Sequence, residues 1–430
     1  MAIIFNTIKS GGKMGQTNQT NNTMNDLEIK VIDNGVVAPK GFKANGFKED
    51  KYGVALILSE KEAVAAGVFT TNKVYAHPVK LSKEILKNNE KIRAIVANSG
   101  NANCFTKDGM EDAKEMIKET ARLLNIPENQ VLIASTGVIG RKMPMDIIKD
   151  RLKKTYDILT KENNNLNSAK AIMTTDAFPK TTAVEFEVNG KKVRVGGIAK
   201  GAGMIAPNML HATMLCFITT DIEINRDELT ESLQNAVDES FNSAVVDGDM
   251  STNDTVFVLA NGESGVNYKD CKETFDKAIA YVCRELAKMI VSDGEGATKF
   301  MEVLVRGAKT KEDAKKASMS VVRSLLVKTA LFGSDPNWGR IVAAVGYSGA
   351  EMDMNKIDVL IGDFKEEVYL VKDGEQIADE GTAELIKAEE IMKNEKIKII
   401  VDLKLGNEEN TSYGCDLGYE YVRINSEYTT

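Results

Sequence analysis

Short apolar runs and helix-like stretches alternate along almost the whole of this chain. "KIRAIVANSG" (91–100) precedes a helical stretch from Gly109 to about Leu124, and "QVLIAS" (130–135) precedes "MDIIKDRLKKTYDIL". Apolar runs bounded by turn residues suit buried strands, whereas the 3.6-residue period between them suits amphipathic helices. Pro144 is expected in the first turn of the second helix, where its missing N–H costs nothing. "TTAVEFEVNGKKVRVGGIA" alternates around Asn189-Gly190, the strongest two-residue hairpin signal. Further strands are expected at 214–220, 254–260, 357–362, 366–371 and over "KIKIIVDLKLG". Helices are expected at about 226–243, 270–291, 311–331 and 382–393, while "YEYVRI" near the end reads as strand-like. The alternation predicts α/β layers throughout.

At 430 residues the chain exceeds one average domain. We expect an α/β core over 26–299 and a smaller C-terminal α/β domain over 300–430. Residues 1–25 are polar and Asn/Thr-rich, without the apolar stretch of a signal peptide, and read as a disordered extension. Met14 and Met24 are alternative starts within it.

Charge excludes several partners. Acids outnumber bases 63 to 55, a formal net charge of −8, and no Lys/Arg stripe stands unbalanced. A nucleic-acid surface is therefore not expected. No apolar run approaches the roughly 20 residues that span a bilayer. Cys104, Cys216, Cys271, Cys283 and Cys415 show no CxxC spacing, which argues against a zinc knuckle or a redox pair. Scattered thiols without a leader point to a reducing cytoplasm.

Histidine narrows the chemistry most, because His77 and His211 are the two in the chain. A Ser–His–Asp triad or a His-rich zinc site needs one of them. His77 in "YAHPVK" has no motif around it, and a packing or surface role suits it. An acyl-transfer enzyme built from this sequence takes its base from elsewhere.

Seven loops are dense in Gly, Ser, Thr and Asn: "ANSGNANC" (97–104), "STGVIG" (135–140), "MTTD" (173–176), "KGAGM" (200–204), "DGDMSTNDT" (247–255), "SDGEGATK" (292–299) and "FGSDPNWGR" (332–340). Each alone is explained as turn chemistry. Together they suggest a site assembled from many turns. "KGAGM" lacks the spacing of a phosphate loop. In "NMLHATMLCFITTD" (208–221) a threonine stands at the mouth of an apolar run. It suits a strand by β-branching alone. It also suits a chain cut before Thr213, since the freed α-amine titrates near ~7.7–8.0 and can take the hydroxyl proton.

"KGAGMIAPNM" followed by "ATMLCFITTD" resembles the self-cleavage segment of the ornithine acetyltransferase (glutamate N-acetyltransferase) family of arginine biosynthesis. "GVFTTNKV" (67–74), "AIMTTDAFPK" (171–180), "STNDTVF" (251–257), "KTALFGSDPNWGR" (328–340) and "GCDLGYEYVRINSEYTT" (414–430) resemble it too, from about residue 30 to the end. Leu210 and His211 are a departure, because the family runs Pro-Asn-Met straight into Ala-Thr. The extra pair bears on the geometry of the cut.

The resemblance implies a layered αββα-type core with a smaller C-terminal α/β domain, self-cut between Ala212 and Thr213. Thr213 is then the nucleophile, with Thr136 and Gly137 as the oxyanion hole. The implied substrate positions are Thr174, Lys200, Thr213, Glu295, Asn425 and Thr430. The reaction moves acetyl from N2-acetyl-L-ornithine to L-glutamate, without metal or bound cofactor, acetyl-CoA being a second donor in bifunctional members. The implied assembly is a heterotetramer with two of each fragment. Two other readings stay open: a self-processing aminopeptidase or amidase of the related fold, and a single-chain binding protein that keeps the loops.

Overall fold

The computed structural model describes residues 28–206 and 214–427. The expected extension at 1–25, Leu210, His211, Ala212, Thr213 and Thr430 lie outside the described residues. Up to residue 260 the strands are β1 (Lys30–Ile32), β2 (Phe42–Glu49), β3 (Tyr52–Phe69), β4 (Lys91–Ser99), β5 (Val131–Ser135), β6 (Lys180–Val188), β7 (Lys191–Lys200), β8 (Leu215–Thr220), β9 (Ala244–Val245) and β10 (Thr255–Ala260). Between them lie α1 (His77–Asn88), α2 (Gly109–Leu124), α3 (Met145–Leu159), α4 (Asn165–Ile172) and α5 (Arg226–Asp238), with α6 (Lys272–Ser292) after.

The first sheet runs β1-β6-β7-β8-β10-β3-β4-β5, with β2 paired to β3. Side-chain parity shows that it forms two layers. Along the first half of β3, and along β4 and β5, residues of both parities enter one core, such as Val54, Ala55, Leu56 and Ile57. In β8 and β10 the parities divide. Leu215, Phe217, Phe257 and Leu259 face that same core, while Cys216, Ile218, Val256 and Val258 face a second core shared with α5 and α6. Successive strand residues point to opposite faces, so the β2–β5 layer is covered on one side by α1–α3 and on the other by the layer of β6, β7, β8 and β10. The order is αββα. The 18-residue β3 connects the layers, pairing β2 and β4 early and β10 late.

From residue 300 the chain adds β11 (Phe300–Ala308), α7 (Lys311–Arg323), α8 (Leu325–Phe332), α9 (Trp338–Gly346), β12 (Asp358–Gly362) and β13 (Glu367–Lys372). It continues with β14 (Glu375–Gln376), α10 (Ala383–Ile391), β15 (Lys396–Asp402), β16 (Glu408–Cys415) and α11 (Tyr419–Glu427). These strands form a second sheet, β14-β13-β12-β15-β11-β16-β9, over a core of its own. Its last strand, β9, comes from far upstream, with Ala244 opposite Tyr413. Among the described residues no helix is long and apolar enough to cross a membrane.

Four local expectations change. The stretch 311–331 is two helices, because Ser324 adopts an extended conformation and its side chain caps α8 through Val327 N–H. The helix expected to reach 243 stops at Asp238, followed by a 3₁₀ turn over 241–243. Pro144 stands one residue ahead of α3, its carbonyl accepting from Ile148 N–H. "YEYVRI" is helical, not extended. Arg423 reaches Glu420 at 2.7 Å and Glu427 at 3.2 Å, the three- and four-residue spacings of a helix face. Among the described residues the segment has no strand partner to satisfy its backbone.

Candidate active site

Sheet register brings three strand ends to one rim. Lys200 pairs with Leu215, and Leu215 pairs with Thr255. The end of β7 and the starts of β8 and β10 therefore lie side by side. Met214, the first described residue of the β8 arm, is buried, and its carbonyl accepts from Thr255 N–H at 2.9 Å. At this rim β5 runs into Thr136-Gly137. Gly137 has φ +130°, and an added Cβ would lie 2.4 Å from Asn101 N, so glycine is required here.

The "ANSGNANC" and "STGVIG" loops hold each other. Ser135 Oγ donates to Asn98 Oδ1 at 2.6 Å, and Asn101 Nδ2 donates to the Arg141 carbonyl at 3.0 Å. Asn253 Nδ2 bridges the Ala102 and Ser135 carbonyls at 2.6 and 2.8 Å. These amides are committed to loop shape. His77 opens α1 and lies 3.0 Å from the Thr106 carbonyl, a packing role.

Lys200 is 6% exposed. Its ammonium donates to Thr174 Oγ1 at 2.8 Å and Thr136 Oγ1 at 3.4 Å, and lies 3.8 Å from Asp176 Oδ2. Burial pushes its pKa down, opposed by the charge of Asp176. Asp176 organises the floor. It accepts from Gly201 N–H at 2.6 Å, Thr174 N–H at 2.9 Å and Lys180 Nζ at 2.7 Å. Burial alone would raise the Asp176 pKa, but Lys200, Lys180 and these hydrogen bonds hold it well below the usual carboxylate range. Lys180, fully buried, also reaches Asp293 at 2.6 Å, tying this loop to the end of α6.

Glu295 follows that end. Its N–H donates to the Ala202 carbonyl at 2.9 Å, and its carboxylate fills the place where a Gly203 side chain would project. "KGAGM" is thus a cradle for Glu295. Asn425, on α11, donates to Glu295 Oε2 at 2.8 Å.

Thr136, Gly137, Thr174, Lys200, Glu295 and Asn425 line one cavity, so every described residue picked out from the sequence meets there. Ala212, Thr213 and Thr430 lie outside the described residues. The cavity also exposes Asp247 and Tyr421, which sequence reasoning passed over. Asp247 accepts from Met204 and Ile205 N–H at 2.5 and 2.8 Å. Burial and the neighbouring Asp247 raise the pKa of Tyr421. Asp247 sits in the flagged "DGDMSTNDT" loop, but no local spacing separates it from ordinary turn aspartates. "KTALFGSDPNWGR" contributes no residue to the cavity lining, and its Phe332 packs edge-on to Tyr419 of α11 at 5.6 Å. The Lys200 ammonium and the Glu295 carboxylate thus share a cavity lined also by hydroxyl groups and by the Asp247 and Asp249 carboxylates.

Residues 40–430 match a family model described as the ArgJ family. The glutamate N-acetyltransferase of Methanocaldococcus jannaschii is 72% identical over 402 residues, covering 94% of this chain and 100% of its own length. That of Methanothermobacter thermautotrophicus is 52% identical over 412 residues, covering 95% and 100%. The structure of arginine biosynthesis bifunctional protein argJ from Bacillus halodurans is 41% identical, covering 49% of this chain and 98% of that one, with a TM-score of 0.46. Ornithine acetyltransferase complexed with ornithine from Mycobacterium tuberculosis is 33% identical, covering 42% and 99%, with a TM-score of 0.39.

Proposed function

The chain belongs to the ArgJ family and is an enzyme of acetyl transfer in arginine biosynthesis, and from that premise we propose that it moves acetyl from N2-acetyl-L-ornithine to L-glutamate through an acetyl-Thr213 ester. In this reading the chain cuts itself between Ala212 and Thr213. The fragments stay together in the cytoplasm as two of each. Residues 26–299 act as the catalytic core, and 300–430 as the domain whose tail, ending at Thr430, reaches the site.

The Thr213 hydroxyl oxygen attacks the acetyl carbonyl while its proton passes to the Thr213 α-amine. The tetrahedral oxyanion is met by the Thr136 hydroxyl and the Gly137 N–H. Thr136 Oγ1 already accepts from Lys200, which leaves its own hydrogen to point at the oxyanion. Collapse breaks the C–N bond, the α-ammonium returns the proton to the departing nitrogen, and ornithine leaves. The glutamate amine then attacks the ester by the reverse sequence. Lys200 pairs with a substrate carboxylate, and Glu295, held by Asn425, with the ornithine ammonium.

One observation carries this reading. Residues from five separate stretches of chain meet in one cavity, the Lys200 ammonium and the Glu295 carboxylate among them. The test is incubation of purified protein with N-acetyl-ornithine, with and without glutamate, beside a denaturing gel. Two fragments of similar size, the second beginning Thr-Met-Leu-Cys-Phe, and N-acetyl-glutamate formation are expected. Thr213→Ala stays uncut and inactive. Full activity in that variant sinks the mechanism, and acetate release without glutamate identifies a hydrolase instead.

A further inference from the structure

Asp254 stands immediately before β10 and is 1% exposed. Neither of its carboxylate oxygens completes a hydrogen bond among the described residues. Buried polar groups are nearly always paired, so a partnerless carboxylate calls for an explanation. Register places it beside Met214, since it precedes Thr255, which pairs with Leu215 and donates its N–H to the Met214 carbonyl at 2.9 Å, and the charge of Lys200 acts on it. Its backbone is held firmly: the Asp254 carbonyl accepts from Thr70 N–H at 3.0 Å, and the next residue bonds Met214. Covalent geometry puts the nitrogens of successive residues about 3 Å apart. Asp254 thus adjoins Met214, the residue covalently bonded to Thr213.

We infer that Asp254 is the counter-ion of the amino group freed at Thr213, a positioning residue that holds this amine while it takes and returns the hydroxyl proton. The inference rests on the cut-and-transfer reading above. In the uncut chain the Thr213 nitrogen is a neutral amide. Burial then pushes the Asp254 pKa well up, opposed by Met214 N–H and Lys200, which favours the neutral carboxyl. Cutting creates an ammonium next to it, and the carboxyl ionises against that charge. During transfer the proton moves between Thr213 Oγ and nitrogen, and Asp254 stays ionised throughout. Among the described residues the charge acting on Asp254 is that of Lys200 on β7, which is itself acted on by Asp176, Lys180 and Glu295.

The test compares wild type with Asp254→Asn, by gel and by pH profiles of acetyl transfer from N-acetyl-ornithine to glutamate. The variant is expected to be cut, to lose on the order of 10²-fold in kcat with KM little changed, and to shift its activating ionisation toward acid by about one pH unit. A neighbouring negative charge raises an amine's pKa, so its removal moves the profile in that direction. Unchanged kcat and profile overturn the inference while leaving Thr213 in place. An active Thr213→Ala protein would instead bring down the reading beneath it. Should Asp254→Asn fail to fold or to cut, a crystal structure of cut wild type decides. An Asp254 oxygen within about 3.2 Å of the Thr213 nitrogen supports the pairing, and a separation beyond about 4 Å overturns it.

Discussion

Asp176 and Asp254 are both buried and both feel the charge of Lys200, yet the fold treats them in opposite ways. Asp176 is surrounded by Lys180, Lys200 and two backbone N–H groups, and its pKa falls. Asp254 completes no hydrogen bond among the described residues, and its pKa rises. Burial acts on both alike, so the difference lies in the partners. Asp176 is neutralised by the folded chain itself and fixes the loops that carry Thr174, Lys200 and Gly201. Asp254 is left with an open demand for positive charge at the rim where β8 begins. A structural carboxylate and a functional one differ here in whether the fold supplies the cation.

The largest effect should come from breaking the satisfied member. Asp176→Asn leaves Lys200 without a close counter-charge and Lys180 with Asp293 alone, and removing one partner of a buried pair costs about 3–5 kcal/mol. Urea denaturation should show that loss. The sign with pH is set by the lowered pKa. Stability from Asp176 is complete above the ordinary carboxylate value and is lost only as pH falls well below it, so the deficit of Asp176→Asn should persist through mildly acid pH.

Lys200→Met removes the cation common to both carboxylates. Asp176 keeps Lys180 and two N–H donors, so stability should fall less than in Asp176→Asn. A charge-assisted hydrogen bond to substrate is worth about 1.5–3 kcal/mol, so KM for N-acetyl-ornithine should rise by roughly 10- to 100-fold. Steady-state kinetics beside a melting curve separates the two readouts. A KM within twofold of wild type would remove Lys200 from the binding site.

The unsatisfied member predicts the opposite sign. In an uncut Thr213→Ala background, Asp254→Asn should raise the melting midpoint at pH 7 by a few degrees, roughly the effect of 1 kcal/mol. Asp254 has a raised folded pKa, so its penalty grows as pH climbs above the unfolded value and disappears below it. The gain should therefore fade below about pH 4. A loss of stability at neutral pH would show that Asp254 already has a partner in the uncut chain.

The smallest structural effect is expected for Asn425→Ala. Its bond to Glu295 is exposed, and such surface changes stay within about 0.5 kcal/mol. KM for N-acetyl-ornithine should nonetheless rise several-fold, because Glu295 loses its orienting donor. Unchanged kinetics would make α11 a bystander.

Layering was legible from sequence because strand and helix leave different local periods. β4, β5 and the β6–β7 hairpin could be read directly, the last from Asn189-Gly190. The loops of the cavity could be read because glycine and asparagine mark turns wherever they occur. The buried charges could not. Lys180 and Asp293 stand 113 residues apart, and long-range pairing has no local signature. Asp254 hid within "STNDT", where aspartate is ordinary turn chemistry. Tyr419–Glu427 misled because a short helix rich in aromatic and β-branched residues alternates much as a strand does.

The strand order β7-β8-β10-β3 has a consequence for assembly. β8 and β10 come from beyond the Ala212–Thr213 junction, yet they fill the middle of a sheet whose flanks, β6–β7 and β2–β5, come from before it. Neither piece can complete this sheet alone. If the chain is cut there, the covalent link holds the two pieces at high effective concentration only until the cut, and folding has to come first. Afterwards, refolding becomes a second-order encounter between two sticky half-sheets with open edges. A mature molecule that unfolds in dilute solution is then lost, and its lifetime is set by the height of its unfolding barrier.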